Sequence, residues 1–340
     1  MKSHKSVWIV AAVILLLAVI GGAVAALWKD EPSPTKPRAT DPSIASSETG
    51  DPTTAETEAE WGKTIVEGGK LYRLNPSLHS ILFLGVDDGN TATPGIAPGE
   101  GRRADTILLL LLNDETKQTT VLSISRDTMT NVEVYEKNGD YAYTGFSHIN
   151  MQYYFGDSDS RSCYLMKKAV SRLLYGIQIE GCLSLKPDGV VTIVDQLGGL
   201  SLTMPADYTD IDPRYTEGAS LTLNGDEAEH LLRYRDITVS GSNEMRVARH
   251  IQVVTALFDE LHSTTGLNEL ESLLEAAGDN VYSDLNAQTL KKLLTYHLNS
   301  EARSVPGTVV LGENHDEFHV DDAALRSLLI ELFYQPVEDE

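Results

Sequence analysis

Apolar residues form three runs of strand length in the first half of the chain, at residues 80–86, 106–112 and 119–124. Polar or glycine-rich sequences separate these runs, and runs this continuous are typical of strands in a sheet that is covered on both faces. The pattern therefore predicts a buried central sheet whose first strand ends in a glycine turn.

After these runs, the spacing of apolar positions alternates between helical and strand-like. It predicts helices at 163–175, 187–197, 223–233, 243–262, 267–277, 287–299 and from 321 onward, strands at 177–185, 200–204, 308–311 and 317–320, and a weak helix at 61–74. This order of elements predicts the α/β class, in the form of a layered arrangement or an α-β-α sandwich.

The N-terminal segment predicts export. Residues 7–27 are almost wholly apolar and uncharged, which is about the length of a helix that crosses a bilayer. Lys2 and Lys5 precede this segment, so the positive-inside rule places the N-terminus in the cytoplasm and the rest of the chain outside. The alternative is a cleaved signal peptide with a site at Ala23-Val24-Ala25, but its apolar core would be unusually long. We expect a single transmembrane helix and an extracellular domain.

Composition divides the chain into four segments. Residues 1–28 are the cytoplasmic stub and membrane anchor, and residues 29–60 contain so few large apolar side chains that they predict a disordered linker. Residues 61–265 form the main extracellular domain. Residues 266–340 are a C-terminal α/β segment that either completes this domain or forms a small appendage.

Charge is distributed unevenly. The formal net charge is -23, which argues against a nucleic-acid partner because contacts to a phosphate backbone need a broad basic face. Half of the arginines nevertheless lie in four short clusters: Arg102 with Arg103, Arg126, Arg233 with Arg235, and Arg246 with Arg249. Because a planar guanidinium matches two phosphate oxygens at once, the clusters predict a phosphate or pyrophosphate site.

The two cysteines, Cys163 and Cys182, suit an exported protein but do not establish a disulfide bond. The first lies at the start of a predicted helix and the second on the following strand. A disulfide and two buried thiols both remain open, and the spacing is not a metal-binding motif.

Carboxylates accompany the first arginine clusters. Asp87 directly follows a buried strand, where a carboxylate can hold a hard cation, although an Asp-Gly turn is the simpler interpretation. Arg103 and Asp105 are two residues apart and face the same side of an extended segment, which suits a phosphate beside its metal or a structural ion pair. Arg126 and Asp127 repeat the arrangement at the end of the neighbouring strand.

Arg246 and Arg249 are three apart on a predicted helix and therefore share a face. Few acidic residues lie at helical spacing from them, so a solvated ion-pair network does not explain them well. With Arg233 and Arg235 at the end of the preceding helix, four guanidiniums could converge on one anion.

The ordered set of motifs resembles the LytR-CpsA-Psr family over about residues 78–261. The motifs are Leu82-Phe83-Leu84-Gly85-Val86-Asp87, Arg103-Ala104-Asp105-Thr106, Leu122-Ser123-Ile124-Ser125-Arg126-Asp127-Thr128, His148-Ile149-Asn150, Val194-Asp195-Gln196-Leu197-Gly198-Gly199, Leu223-Asn224-Gly225, Arg233-Tyr234-Arg235 and Arg246-Val247-Ala248-Arg249. His148 stands where a lysine is common in that family, and His250 where a glutamine is.

The resemblance implies an α-β-α sandwich behind one membrane helix, with a Mg²⁺ site at Asp87 and Asp105. It implies that the pyrophosphate of the substrate is bound by arginines, namely Arg103, Arg126, Arg233, Arg235, Arg246 and Arg249. Asp87, Asp105, Arg126 and Arg246 would be the catalytic residues.

The implied activity is a phosphotransferase of the peptidoglycan ligase type. It would move a phosphate-linked glycopolymer, such as teichoic acid or capsular polysaccharide, from a polyprenyl pyrophosphate carrier to peptidoglycan outside the cytoplasmic membrane. Two alternatives remain: a polyprenyl pyrophosphate hydrolase, and a protein that binds wall polymer or carrier lipid without chemistry.

Overall fold

A computed structural model describes residues 64–87, 102–136, 138–204, 206–234, 249–253, 256–257, 260, 272–273, 275–285, 295–312 and 315–337. The predicted membrane anchor at 1–28 and linker at 29–60 lie outside these residues. Among the residues that the structure describes, no helix has both the length and the apolar character needed to cross a membrane.

Strands and helices follow one another along these residues. The strands are β1 (Thr64–Glu67), β2 (Lys70–Leu74), β3 (Leu78–Val86), β4 (Ala104–Asn113), β5 (Gln118–Ile124), β6 (Met129–Tyr135), β7 (Tyr141–His148), β8 (Gly181–Leu185), β9 (Leu200–Thr203), β10 (Ser220–Leu223), β11 (Val281–Ser283), β12 (His297–Ser304), β13 (Gly307–Leu311), β14 (Asp316–Val320) and β15 (Tyr334–Pro336). The helices are α1 (Met151–Tyr154), α2 (Asp159–Leu173), α3 (Pro187–Gln196), α4 (Gly225–Arg233) and α5 (Asp322–Phe333), and residues 249–253 are also helical.

A mixed six-stranded sheet in the order β11-β8-β3-β4-β5-β12 lies at the centre. The three apolar runs predicted as strands form β3, β4 and β5, which pair antiparallel to one another. The sheet becomes mixed because β8 pairs parallel to β3 and β12 pairs parallel to β5.

Alternate residues of the central strands enter two separate cores. Ile81 and Phe83 of β3 pack in one core with α3 and α4, whereas Leu82 and Leu84 pack in the other with α2 and α5. Because successive side chains of a strand point to opposite faces, a run without polar residues can serve both cores. The fold is therefore mixed α/β, with helices on both faces of the sheet.

Local sequence signals explain where the helices begin. The Asn224 side chain accepts a hydrogen bond from the Glu227 amide at 2.9 Å, and the Glu227 side chain accepts one from the Asn224 amide at 2.9 Å, which is a capping box at α4. Ser158 caps α2 and Asp321 caps α5 through their side chains.

The C-terminal segment belongs to the same fold. Strand β12 lies in the central sheet, α5 packs in the core with α2, and β15 pairs with β2. The predicted helix at 61–74 is wrong over residues 64–74, which form the antiparallel hairpin β1–β2. The predicted helix at 287–299 is wrong at its end, where His297 begins β12.

Both cysteines are free thiols that are fully buried in the α2 core. Burial raises the pKa of the Cys182 thiol well above its usual value, and its neighbour Cys163 adds to the effect.

Candidate functional site

The end of β3 is tied to the start of β4 through Asp87 and Arg103. The Asp87 amide donates to the Arg103 carbonyl at 3.0 Å, and the Arg103 amide donates to Asp87 Oδ1 at 2.7 Å. Arg103 Nε lies 3.5 Å from Asp87 Oδ2. Arg103 thus pairs with Asp87, which directly follows β3, whereas the sequence left open a phosphate contact beside a metal ligand or a structural ion pair with Asp105.

Asp105 instead contacts Arg126, which follows β5. Arg126 Nη1 donates to Asp105 Oδ1 at 2.6 Å, and its Nε lies 3.4 Å from Asp127 Oδ1. The Arg126 and Asp105 side chains are only 15% and 22% exposed. Burial alone would lower the pKa of Arg126, but the carboxylates of Asp105 and Asp127 outweigh it and the pKa is raised. This guanidinium is therefore permanently charged.

The two metal-site candidates, Asp87 and Asp105, act on each other electrostatically. Burial raises the pKa of Asp87, the Arg103 amide opposes this shift, and the negative charge of Asp105 raises the pKa further. Two partly buried carboxylates that repel each other are stabilised by a divalent cation, and carboxylate oxygens are the ligands that Mg²⁺ prefers. The donor set at the ends of β3 and β4 therefore fits Mg²⁺.

Unused hydrogen-bond donors lie beside these carboxylates. Within the described part of the chain, the buried Nε atoms of Arg103 and Arg126 make no hydrogen bond with adequate geometry, although they lie 3.5 Å and 3.4 Å from a carboxylate oxygen. Donors of this kind suit an anion, because a phosphate oxygen can accept from a guanidinium edge. The site thus combines acidic oxygens for a cation with arginine donors for a phosphate.

Arg102 has a separate structural contact. Its Nη1 donates to Asp159 Oδ1 at 2.9 Å, and Asp159 also accepts hydrogen bonds from Lys186 at 3.1 Å and Tyr153 at 2.9 Å. This network joins the segment before β4 to the start of α2. Arg102 therefore positions Arg103 by holding the chain.

Arg249 is engaged with the end of α4. It is 5% exposed, its Nε donates to the Leu231 carbonyl at 3.1 Å, and its Nη2 donates to the Tyr234 carbonyl. Carbonyls in the last turn of a helix lack helical partners, so a guanidinium there satisfies them. Arg233 is more exposed and contacts Glu229 on its own helix. The pyrophosphate role of both arginines stays a prediction.

His250 and Thr106 connect this helical segment to β4, a link that the sequence did not reveal. His250 Nε2 donates to the Leu232 carbonyl at 2.9 Å, which leaves Nδ1 to accept from the Thr106 hydroxyl. Thr106 directly follows Asp105. Thr106 also lies opposite Gly85, where an added Cβ would approach its Cβ and Oγ1 to 2.9 Å. Gly85 therefore permits the close approach of β3 and β4 beside both aspartates.

Two hairpins, β6–β7 and β13–β14, lie beside Asp127. The Phe318 amide on β14 donates to the Asp127 carbonyl at 2.9 Å, and the rings of His148 and His315 are 6.3 Å apart. Burial lowers the pKa of His148, although the charge of Asp127 acts in the opposite direction. The predicted site residues Arg235 and Arg246 lie outside the described residues.

Comparison with known proteins agrees with this architecture. A curated relative from Oceanobacillus iheyensis, named polyisoprenyl-teichoic acid–peptidoglycan teichoic acid transferase TagU, is 27% identical over 229 residues, which cover 67% of this chain and 65% of the relative. The Bacillus subtilis protein TagV, named as the same type of transferase, is 27% identical over 212 residues, which cover 61% of this chain and 49% of TagV. The chain thus spans about half to two thirds of the length of these relatives.

The crystal structure of Bacillus subtilis TagV superposes with a TM-score of 0.56 at 25% sequence identity, covering 76% of this chain and 97% of that one. The LytR_cpsA_psr family model matches residues 46–327. This match includes the central sheet, both helical layers and the paired aspartates and arginines, and the chain belongs to the LytR_cpsA_psr family.

Proposed function

We propose that this protein transfers a phosphate-linked glycopolymer, of the teichoic acid or capsular polysaccharide type, from a polyprenyl pyrophosphate carrier to peptidoglycan. The observation that carries the proposal is the crossed pairing of Asp87 with Arg103 and of Asp105 with Arg126, with two buried Nε donors left over. The names of the TagU and TagV relatives support the same reaction. The reaction would take place outside the cytoplasmic membrane, to which the N-terminal segment anchors the chain.

In this reaction the oxygen of an acceptor sugar hydroxyl attacks the glycan-proximal phosphorus. A new P–O bond forms to the acceptor, the bond to the bridging pyrophosphate oxygen breaks, and polyprenyl phosphate leaves with that electron pair. The hydroxyl proton passes to a basic group of the site or to water. Catalysis of phosphoryl transfer depends mainly on positioning and charge stabilisation, for which fixed arginines are suited.

Each group has a part that follows from its position. Asp87 and Asp105 would hold Mg²⁺, which when bound supplies positive charge to the phosphate oxygens. Arg103 and Arg126 would donate to the pyrophosphate, with Arg233, Arg235 and Arg246 as further ligands. Arg249, which holds the end of α4, would be another such ligand, and Arg102 would act as a positioning residue through the backbone that it holds.

The test uses the full chain in detergent with a polyprenyl-pyrophosphate-linked glycan, Mg²⁺ and peptidoglycan oligomers. We expect glycan-phosphate to become attached to the acceptor, and Asp105→Asn to abolish this transfer. Asp212→Asn is the matched control, because Asp212 also pairs with an arginine, Arg214 at 2.9 Å, but outside the site. Release of phosphate without capture by the acceptor would identify a hydrolase. Carrier binding without turnover in the wild type would identify a binding protein.

A further inference from the structure

Asn150 lies between the two pairs of charged residues but has had no role so far. It follows β7 in the motif His148-Ile149-Asn150 and directly precedes α1. Its amide donates to the Arg126 carbonyl at 3.3 Å, and its carbonyl accepts from the Ala104 amide at 3.5 Å. Ala104 lies between Arg103 and Asp105. The backbone of Asn150 is therefore fixed against both halves of the site.

The side chain of Asn150 is buried, and its oxygen makes no hydrogen bond. The residue is 5% exposed, and among the described residues no donor contacts Oδ1. An unpaired buried acceptor loses its hydrogen bonds to water without replacement, so native proteins rarely keep one without a reason.

Helix capping does not supply that reason. An asparagine before a helix ordinarily accepts a hydrogen bond from an amide of the first turn, in an extended conformation. Asn150 has helical dihedral angles, φ -61° and ψ -24°, and its side chain makes no capping hydrogen bond. Its oxygen is thus available for a partner other than the helix.

We propose that Asn150 Oδ1 is a third protein ligand of the divalent cation held by Asp87 and Asp105. This inference rests on the proposed function and adds a ligand to its cation site. Among the described residues, no third His, Cys, Asp or Glu side chain joins Asp87 and Asp105 in a group that could hold a metal, whereas the Asn150 amide oxygen is buried beside the backbone of both halves of the site. Amide oxygens are hard ligands of the kind that Mg²⁺ and Ca²⁺ accept.

The neutrality of the amide is as important as its oxygen. Two aspartates already balance the charge of a divalent cation, and a third carboxylate would leave excess negative charge where a pyrophosphate must bind. An asparagine supplies the oxygen without this repulsion. The nearby guanidinium of Arg126 then remains available to the phosphate.

The experiment measures Mn²⁺ binding to the full chain in detergent, by isothermal titration calorimetry and by electron paramagnetic resonance. We expect Asn150→Ala to weaken Mn²⁺ affinity about 10- to 100-fold, the usual effect of losing a group that supports a metal site. Asn150→Asp, which keeps an oxygen, should still bind Mn²⁺ but should bind inorganic pyrophosphate more weakly. Asn131→Ala is the control, because Asn131 is an exposed asparagine on the hairpin that leads to Asn150.

Thermal unfolding in a chelator separates a ligand from a structural residue. Without metal, Asn150→Ala should unfold at or above the wild-type temperature, because the change removes an unpaired buried oxygen. Wild-type Mn²⁺ affinity in Asn150→Ala would overturn the inference, as would a loss of stability in the chelator together with unchanged affinity. If Asn150→Ala does not fold, loss of Mn²⁺ binding in a folded Asn150→Asp would overturn it. If Asp105→Asn also binds Mn²⁺ normally, the cation site of the proposed function fails as well.

Discussion

Replacing Arg126 by methionine tests how much the positive charge of Arg126 offsets the repulsion among the carboxylates of the site. Arg126 contacts Asp105 at 2.6 Å and lies 3.4 Å from Asp127, and its charge also acts on Asp87. Methionine retains much of the apolar stem but removes the positive charge that Arg126 supplies to these contacts. Three carboxylates at the ends of β3, β4 and β5 would then repel one another.

The loss of unfolding free energy in Arg126→Met depends on how deeply the ion pair is buried. Truncating one partner of a fully buried ion pair costs about 3–5 kcal/mol, whereas an exposed pair contributes about 0–1 kcal/mol. The side chains of Arg126, Asp105 and Asp127 are between 15% and 22% exposed, so we expect an intermediate loss of roughly 2–3 kcal/mol. For a domain of this size the melting temperature should fall by about 4–12 °C.

The assay is thermal unfolding of the full chain with a chelator and with Mg²⁺. Arg303→Met is the control, because Arg303 forms an ion pair of similar length, 2.7 Å to Glu331, with side chains 33% and 56% exposed. Mg²⁺ at Asp87 and Asp105 would replace the lost positive charge, so it should raise the melting temperature of Arg126→Met more than that of the wild type. Equal losses in the two variants, or an equal response to Mg²⁺, would refute the reasoning.

Two further changes test neighbouring parts of the structure. Gly85→Ala should cost about 1–3 kcal/mol and weaken Mn²⁺ binding, because the new Cβ would displace Thr106 beside Asp105; unchanged unfolding and affinity would contradict the close approach. Burial tends to raise the pKa of Glu133, but Lys168, Tyr135 and Arg172 outweigh it, so the pKa lies below 4.5. The resulting stability is present above that value and lost as the pH falls through the folded pKa. Urea unfolding should show Glu133→Gln less stable than wild type at neutral pH, with a difference that shrinks as the pH falls below 4.5; a constant difference would exclude this linkage.

The central sheet was predictable because its strands are apolar on both faces. The length of the apolar run was enough to predict a strand at 80–86, 106–112 and 119–124, and each of these segments forms a central strand. Helices α3 and α4 were predictable because Pro187 and Asn224 mark their first turns. In these segments the local signal and the tertiary environment favour the same structure.

The N-terminal hairpin was not predictable, because its partner is distant in sequence. Strand β2 pairs with β1 and also with β15, more than 250 residues later. Ile65, Tyr72 and Leu74 pack against the α2 core, and their spacing fits a weak helical pattern as well as a strand. The sequence of this segment fits a helix and a strand equally well, and the pairing of β2 with the distant β15 determines that it forms a strand.

At the site, Asp87 pairs with Arg103 and Asp105 pairs with Arg126, so cation binding to the aspartates would affect both arginines. From sequence, Arg103 and Asp105 were expected to face the same side because they are two residues apart, either as a phosphate ligand beside a metal ligand or as an ion pair. The antiparallel register instead sets Val86 opposite Ala104, which places Arg103 beside Asp87 and leaves Asp105 to Arg126. Each guanidinium therefore contacts a carboxylate that the proposed cation would also bind. A cation on the carboxylates would weaken their hold on the arginines and free donors for the pyrophosphate, so cation and pyrophosphate would each favour the binding of the other.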